Sequence, residues 1–279
     1  MNLEERKLKE IEHSDRRRSI VRGHEYSTDA IPGRQTEAKV EDAAAYERHF
    51  SNMKFYSISG ASFALRDALL YRDIGGKVAL DYCCGNGEIA IEIAKRGAAK
   101  VHGIDISPVA IENARALAKA GGVEDRCEFR VMDAEHTEFA TGTFDVIHEY
   151  GALHHLDLPA AYAELSRILK PSGRLICTET LRHNPLIHWY RKRTPHLRTA
   201  WEVEHILGIP EIEGGRKFFG TVVIRTFHLA ALAAVPFRKS AVFGALIRML
   251  NAADRVLLAI PGVRRMAWVA VVEYTQPRR

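Results

Sequence analysis

The sequence predicts an α/β fold in which helices cover both faces of a mostly parallel, doubly wound sheet. Residues 78–82 form a short apolar stretch that contains an acid and runs into the glycine turn Gly85-Asn-Gly87. A helix-forming segment follows at 89–96, and a second apolar stretch, residues 101–105, ends in another acid. Strand, glycine turn, helix, strand and acid in this order make up the nucleotide-binding half of such a fold.

The segments that follow continue the alternation of helix and strand. Ser107 and Pro108 favour the start of a helix, and Gly121-Gly122 favours its end. The further elements predicted are strands at 127–132, 144–150 and 174–179 and a helix at 158–169. Strands that are separated by helices pair in parallel, so this order predicts the parallel sheet.

The glycine turn alone does not identify the nucleotide. Gly85 to Ala90 also satisfies the G-x-G-x-x-G/A pattern of dinucleotide-binding proteins, so a nicotinamide-dependent oxidoreductase is one alternative. Asp81 argues against it, because a carboxylate beside this turn would repel a pyrophosphate and favour a cationic nucleoside. Asp105 lies at the distance along the chain where an acid that binds ribose hydroxyls is expected. A cationic nucleoside such as S-adenosylmethionine suits both acids.

Six motifs between residues 71 and 180 resemble the class I S-adenosylmethionine-dependent methyltransferases, with a core similar to the type 11 group. They are Leu80-Asp-Tyr-Cys-Cys-Gly-Asn-Gly87, Gly103-Ile-Asp-Ile-Ser-Pro108, Val131-Met-Asp-Ala-Glu135, Phe144-Asp-Val-Ile147, Ala152-Leu-His-His-Leu156 and Leu169-Lys-Pro-Ser-Gly-Arg174. The resemblance implies a Rossmann-like fold and methyl transfer from S-adenosylmethionine, which leaves S-adenosylhomocysteine as product. Residues 182–205 are similar to a bacterial branch of this family whose substrate is unknown.

The resemblance also implies the residues of the cofactor site. Asp105 is expected to bind the ribose hydroxyls, and Asp133 the adenine amino group. The full set of expected contacts is Tyr56, Asp81, Cys83, Gly85, Gly87, Asp105, Ile106, Asp133, Ala134 and Glu149. Cys83 departs from the family, which has glycine there, and we expect it to crowd the methionine end of the cofactor. We interpret Cys83-Cys84 as small residues of a tight turn and expect no metal site.

Methyl transfer from a sulfonium is an in-line displacement, so an enzyme gains mainly by positioning the acceptor. A hydroxyl acceptor also needs a base, and His154 and His155 follow the fourth strand of the core on the side where the site opens. We predict one of them as the base, with His148, Glu149 and His205 as rivals. The residues expected to bind the acceptor are His148, Tyr190, Arg198 and His205.

The chain divides into four predicted regions. A helical N-terminal extension or lid covers residues 1–55, and the S-adenosylmethionine-binding core covers 56–180. A helical substrate-recognition cap with amphipathic helices covers 181–265, and residues 266–279 form a terminal edge strand of the core.

Composition limits location and partners. The 279 residues carry a formal net charge of +5. Four cysteines without CxxC spacing, and no recognisable signal peptide, predict a cytoplasmic protein with reduced thiols. Residues 225–265 hold seven basic residues and one acid among apolar ones, in runs shorter than the roughly 20 residues that span a membrane. Such a segment can contact the inner membrane face peripherally, and it can equally pack as a cap or a homodimer surface.

These features predict a methyltransferase that acts on an O or N atom of a small or amphiphilic molecule. A secondary metabolite, a quinone-like compound or a lipid-linked acceptor would suit the apolar cap. The pI near 9.0 suggests an RNA or ribosome methyltransferase as the alternative. No aromatic-basic RNA module is recognised, so nucleic acid is not favoured as a partner. The altered glycine position at Cys83 leaves a cofactor-binding scaffold without turnover as a third hypothesis.

Overall fold

The computed structural model describes residues 3–22, 39–40 and 43–279. Its N-terminal part comprises helix α1 (Leu3–Ile20), the two-residue antiparallel strands β1 (Val21–Arg22) and β2 (Lys39–Val40), and helix α2 (Ala43–Phe50). A 3-10 helix (Ser51–Ile58) and helix α3 (Gly60–Leu70) lead into the core. The predicted helical extension is therefore found on both sides of residues 23–38, which lie outside the described part of the chain.

The core alternates strands and helices as predicted. Its elements are β3 (Val78–Tyr82), α4 (Glu88–Lys95), β4 (Lys100–Asp105), α5 (Pro108–Ala120), β5 (Cys127–Val131), β6 (Phe144–Tyr150), a 3-10 turn (Leu153–His155), α6 (Leu158–Ile168) and β7 (Leu169–Thr180). Ser107 caps α5, because its hydroxyl accepts a hydrogen bond from the backbone N–H of Ala110 at 3.0 Å.

The cap begins after β7 and contains most of the short helices. Its elements are α7 (Pro185–Arg193), a 3-10 helix (Pro195–Leu197), α8 (Ala200–His205), α9 (Ile209–Gly214), a 3-10 helix (Gly215–Lys217), β8 (Phe219–Phe227), a 3-10 helix (Ala230–Phe237), α10 (Phe243–Leu257) and a 3-10 helix (Val263–Met266), before β9 (Val269–Pro277).

Seven strands form one sheet in the order β5-β4-β3-β6-β7-β9-β8. β3 to β7 run parallel, and β9 runs antiparallel to both β7 and β8. The chain moves outward from β3 to β4 and β5, then returns to the other side of β3 for β6. A crevice opens where the direction reverses, at the carboxyl ends of β3 and β6. The doubly wound fold is confirmed.

Alternate side chains of each strand face opposite layers of helices. Leu80, Tyr82 and Ile147 belong to a core cluster that includes residues of α6, whereas Ala79 and Val146 pack with residues of α4 and α5. The alternation follows from the two-residue period of a strand. Both faces of the central strands are therefore apolar and covered, as a parallel sheet requires.

The prediction that residues 266–279 form the edge strand is wrong. β9 lies inside the sheet between β7 and β8, and residues Val269 to Val272 are all buried. The edge is instead β8, whose residues were assigned to the cap. In the sequence, β8 lies between helices of the cap and is apolar like them, so the sequence pattern did not distinguish it from the cap.

Candidate active site

Three residues of the glycine turn after β3 have a positive φ: Cys83, Gly85 and Gly87. Gly87 has φ +80°, and a Cβ there would lie 2.8 Å from the Cβ of Ala114 and 3.0 Å from the Phe129 ring. Only glycine fits both the conformation and the space. Cys83 also has a positive φ, +57°, which is the left-handed region that disfavours a side chain. The turn thus places a cysteine in a glycine conformation, and its side chain lines the chamber described next.

A chamber of about 290 Å³ opens at the carboxyl ends of the strands. One end is lined by Cys83, Asp105, Ile106, Asp133 and Ala134, five of the predicted cofactor contacts. Asp105 accepts hydrogen bonds from the backbone N–H groups of Gly85 and Ser107, both at 2.9 Å. Its carboxylate is therefore fixed in position where β4 ends.

Asp81 does not reach this chamber, contrary to the prediction. Its carboxylate accepts a hydrogen bond from the backbone N–H of Ala90 at 3.0 Å and lies 2.7 Å from Nδ1 of His148, with both side chains buried. Asp81 and His148 sit opposite each other on β3 and β6, so they form a cross-strand pair. Asp81 anchors the start of α4, and His148 is not among the residues that line the chamber.

Helix α1, which lies in the region predicted as an N-terminal extension or lid, covers the same end of the chamber. The sequence did not indicate which of its residues make the contacts. Lys7 lies 2.5 Å from the Asp133 carboxylate, Arg6 is paired with Glu135, and Asp15 bonds the Ser107 hydroxyl. The guanidinium of Arg18 lies against Gly85. Four polar residues of α1 line the chamber and follow one another at helical spacing: Lys7, Glu10, Ser14 and Arg17. This polar face of the helix is the sequence pattern that could have indicated its contact with the chamber.

The other end of the chamber contains His154 and His155. Nδ1 of His154 lies 2.8 Å from Glu179, which also accepts a hydrogen bond from the backbone N–H of Leu153 at 2.7 Å. Nδ1 of His155 lies 2.9 Å from Glu10 of α1. Each imidazole is therefore oriented by a carboxylate through one ring nitrogen.

The two histidines differ in charge. Burial lowers the pKa of His154 to about 3, so its imidazole is neutral at neutral pH. Burial also opposes charge on His155, but its hydrogen bond to Glu10 and the nearby Glu202 carboxylate raise its pKa to about 9. His155 is therefore protonated at neutral pH and has no lone pair for a proton. This leaves His154 as the candidate base.

Two buried carboxyl groups lie behind His154. Burial raises the pKa of Glu179 to about 7, and burial together with neighbouring Glu179 raises the pKa of Glu149 well above its usual value. Glu149 accepts a hydrogen bond from the backbone N–H of Ala152 at 2.5 Å and is not among the chamber-lining residues. The predicted contact of Glu149 with the cofactor is therefore replaced by a structural role in the turn that carries His154.

Two of the four predicted acceptor-binding residues line the chamber. Tyr190 and Arg198 do so, together with Tyr56. His205 does not, because its ring stacks on Trp201 with centroids 3.6 Å apart and its Nδ1 bonds the Trp201 carbonyl. His148 is buried against Asp81 as described. The sequence could not show that His148 and His205 point away from the chamber, since both belong to elements that border it.

An aromatic wall closes the acceptor end. The rings of Phe55 and Tyr190 meet edge to face at 4.8 Å, and Tyr56 meets Trp268 at 5.4 Å. These residues come from the 3-10 helix Ser51–Ile58, from α7 and from the position directly before β9. The wall is therefore assembled from the N-terminal part of the chain and from the cap.

A cluster of metal-ligand type is also present at this end. One ligand atom each of His154, His155 and Glu202 lies within 4.8 Å of the others. Nε of Arg198 lies 3.3 Å from the same carboxylate of Glu202. The carboxylate of Glu202 is thus already paired with a cationic side chain.

Comparison with known proteins agrees with the fold. Residues 79–173 match a family model described as a methyltransferase domain. The chain is 38% identical over 97 residues to 27-O-demethylrifamycin SV methyltransferase of Amycolatopsis mediterranei, covering 34% of this chain and 36% of the relative. It is 34% identical over 119 residues to demethylmenaquinone methyltransferase of Lactiplantibacillus plantarum, covering 40% and 50%. The chain thus spans half or less of the length of these relatives.

A solved structure extends the likeness beyond the matched segment. Geranyl diphosphate C-methyltransferase of Streptomyces coelicolor superposes with a TM-score of 0.54 at 16% identity, covering 85% of each chain. At this identity the likeness concerns the fold. The family match, the strand order and the acids at the ends of β4 and β5 agree with one another. Residues 79–173 are thus a methyltransferase domain of the S-adenosylmethionine-dependent class.

Proposed function

We propose that this protein transfers a methyl group from S-adenosylmethionine to an O or N atom of a small, amphiphilic acceptor. The observation that supports this best is the single chamber with two chemically different ends. One end offers the carboxylates of Asp105 and Asp133, and the other offers a neutral imidazole beside an aromatic wall. A secondary metabolite, a quinone-like compound or a lipid-linked molecule would match the second end.

The cofactor end fits an adenosine group. Ile106 and Ala134 lie beside the two acids, so an apolar slot is flanked by hydrogen-bond acceptors for ribose hydroxyls and an amino group. When bound there, S-adenosylmethionine supplies an electrophilic methyl group on a positively charged sulfur. No phosphate-binding set is needed for this ligand, in contrast to a dinucleotide.

His154 and its partners would act on the acceptor. Glu179 holds Nδ1 of His154, which leaves Nε2 as the nitrogen that can take a proton from an acceptor hydroxyl or ammonium. General-base catalysis contributes roughly 10²- to 10⁴-fold in rate. The rings of Phe55, Tyr56 and Trp268 exclude water and orient the acceptor, and orientation is the larger contribution to such a displacement.

Names of the relatives agree with a small acceptor. The relatives compared above are named for a rifamycin, a menaquinone and geranyl diphosphate. The family model matches residues 79–173, which carry the two acids of the cofactor end. The acceptor end is built largely from residues outside the matched range 79–173.

The proposal is tested by calorimetric titration of the purified protein with S-adenosylmethionine, S-adenosylhomocysteine and NADH. We expect micromolar binding of both sulfur nucleosides and no binding of NADH. Binding of NADH with neither sulfur nucleoside would show that the site serves a dinucleotide. A subsequent acceptor screen would use the protein that binds the methyl donor.

We also propose that the outer face of the cap contacts an anionic membrane surface. Val242, Met249 and Val256 follow one another at seven-residue spacing around α10 and are well exposed, Val256 to 70%. The basic residues Arg248 and Arg255, also exposed, flank this stripe. A helix of this kind lies in the interface of an anionic bilayer.

Charge and packing support this surface. The single acid of residues 225–265, Asp254, is buried and accepts hydrogen bonds from the backbone N–H groups of Leu229, Ala230 and Ala231. The inner face of α10 packs in the same apolar cluster as Phe55 and Trp268 of the chamber wall. In the described part of the chain, no helix has the length and apolarity needed to cross a bilayer.

Vesicle flotation tests this surface. We expect the protein to float with vesicles that contain phosphatidylglycerol and not with phosphatidylcholine vesicles, and to lose flotation when Met249 and Val256 are both replaced by Glu. A matched control replaces Leu8 and Val131, which lie outside the cap and are 61% and 51% exposed, by Glu. Equal flotation of the two double variants would contradict the proposal. A dimer in solution that only the cap variant disrupts would assign this face to self-association.

A further inference from the structure

Arg191 is held at the acceptor end of the chamber by neutral groups. It belongs to the last turn of α7 and lines the chamber. Its guanidinium donates hydrogen bonds to the carbonyl of Leu181 at 2.9 Å and to the hydroxyl of Thr180 at 3.1 Å. These bonds tie it to the end of β7, one residue beyond Glu179.

The charge of Arg191 has no carboxylate partner. Among the described residues, no acid oxygen lies within the 4 Å of an ion pair, whereas neighbouring Arg198 is paired with Glu202 at 3.3 Å. Burial, together with the nearby charge of Arg198, lowers the pKa of Arg191 to about 10. The carboxylates of Glu202 and Glu179 act in the opposite direction but do not offset this. A cation removed from water without a counter-ion is costly, and folding normally pairs it. The guanidinium of Arg191 thus lines the chamber without an ion-pair partner and could bind an anionic group of a ligand.

The surroundings of Arg191 indicate what kind of partner fits. The aromatic residues Phe55, Tyr56 and Trp268 line the same chamber, and Tyr190 precedes Arg191 on α7. The remaining N–H groups of a planar guanidinium form a fork that matches the two oxygens of a carboxylate or phosphate. A ligand with an anionic group next to an apolar or aromatic part satisfies both features.

We infer that Arg191 binds a carboxylate or phosphate group of the acceptor and thereby selects anionic acceptors. The inference rests on the proposed function, because it assigns this end of the chamber to the acceptor. It adds a charge requirement that the fold and the family do not specify.

The test compares the affinities of anionic aromatic ligands with that of an uncharged one. Protein saturated with S-adenosylhomocysteine is titrated with benzoate, with its uncharged isostere benzamide, and with phenyl phosphate. We expect benzoate or phenyl phosphate to bind at least tenfold more tightly than benzamide, and the stronger of the two identifies the head group. In Arg191→Gln this preference should disappear, while Arg193→Gln, an exposed arginine on the same helix, should retain it.

Each outcome separates this inference from the proposed function. Wild-type protein that binds S-adenosylhomocysteine but binds the anions no better than benzamide overturns the anion subsite alone. So does a preference that survives in Arg191→Gln. Protein that does not bind S-adenosylhomocysteine overturns the proposed function instead. Unchanged affinity of Arg191→Gln for S-adenosylhomocysteine, and partial recovery of the preference in Arg191→Lys, would show that the variant is folded and that charge is responsible.

Discussion

Replacing Asp105 by alanine is expected to weaken binding of S-adenosylhomocysteine by about 100-fold or more. The carboxylate accepts backbone hydrogen bonds from Gly85 and Ser107, and it is the acid placed to bind the ribose. Each buried donor left unsatisfied costs about 1–3 kcal/mol, and each 1.4 kcal/mol corresponds to tenfold in affinity. The glycine turn and the ribose contact would be lost together.

Calorimetry on Asp105→Ala and Asp105→Asn checks this expectation. Asparagine keeps one acceptor oxygen at the same place, so we expect an affinity between those of the wild type and the alanine variant. Thermal unfolding without ligand would report how far the turn itself is destabilised. An affinity of Asp105→Ala within about threefold of the wild type would show that the cofactor site lies elsewhere.

Loosening α1 is expected to speed the exchange of bound cofactor. Arg6 is buried and paired with buried Glu135, and Lys7 is paired with Asp133 at the end of β5. Removing one partner of a buried ion pair leaves the other uncompensated, at a cost of roughly 3–5 kcal/mol. The double variant Arg6→Met, Lys7→Met should therefore weaken the packing of α1 over the chamber, and the dissociation rate of S-adenosylhomocysteine should rise at least tenfold.

Stopped-flow fluorescence can follow this opening directly. The guanidinium of Arg6 lies 4.8 Å from the centre of the Trp201 ring, so displacement of α1 changes the surroundings of that indole. Lys9→Met serves as control, since Lys9 is exposed and pairs with Glu5 on the same helix. Equal dissociation rates for the double variant and the Lys9 variant would show that α1 does not retain the cofactor.

Several residues predicted to bind the cofactor line one chamber because they lie at the ends of neighbouring strands. Cys83, Asp105 and Asp133 each end or follow a strand, and parallel strands present their carboxyl ends at one edge of the sheet. Asp81 lies in the same motif but faces His148, a partner on the adjacent strand 67 residues away. Its direction depends on the cross-strand register, which an isolated motif does not contain.

The covering helix and the acceptor half were harder to predict because their contacts are distant in sequence. Lys7 meets Asp133 across 126 residues, and Glu10 meets His155 across 145. The charged start of the chain looks like a solvated helix until the core is present for it to cover. In the same way, Arg191 and Glu202 are ordinary surface residues in the sequence, and the cap alone makes them face a chamber.

Because β9 lies between β7 and β8, sequence changes in the cap can be independent of sequence changes in the strands of the cofactor site. Both cap segments, residues 181–218 and 228–268, leave the sheet from one strand and return to it in the next, so their ends are fixed by antiparallel pairing. Residues within them can be exchanged or inserted without moving β3, β4 or β5, which carry the cofactor turn and acids. The cap residues of the proposed acceptor end can thus change while the donor site stays constant. Transplanting the two segments onto a related core, together with the 3-10 helix Ser51–Ile58 that completes the aromatic wall, should transfer the acceptor preference.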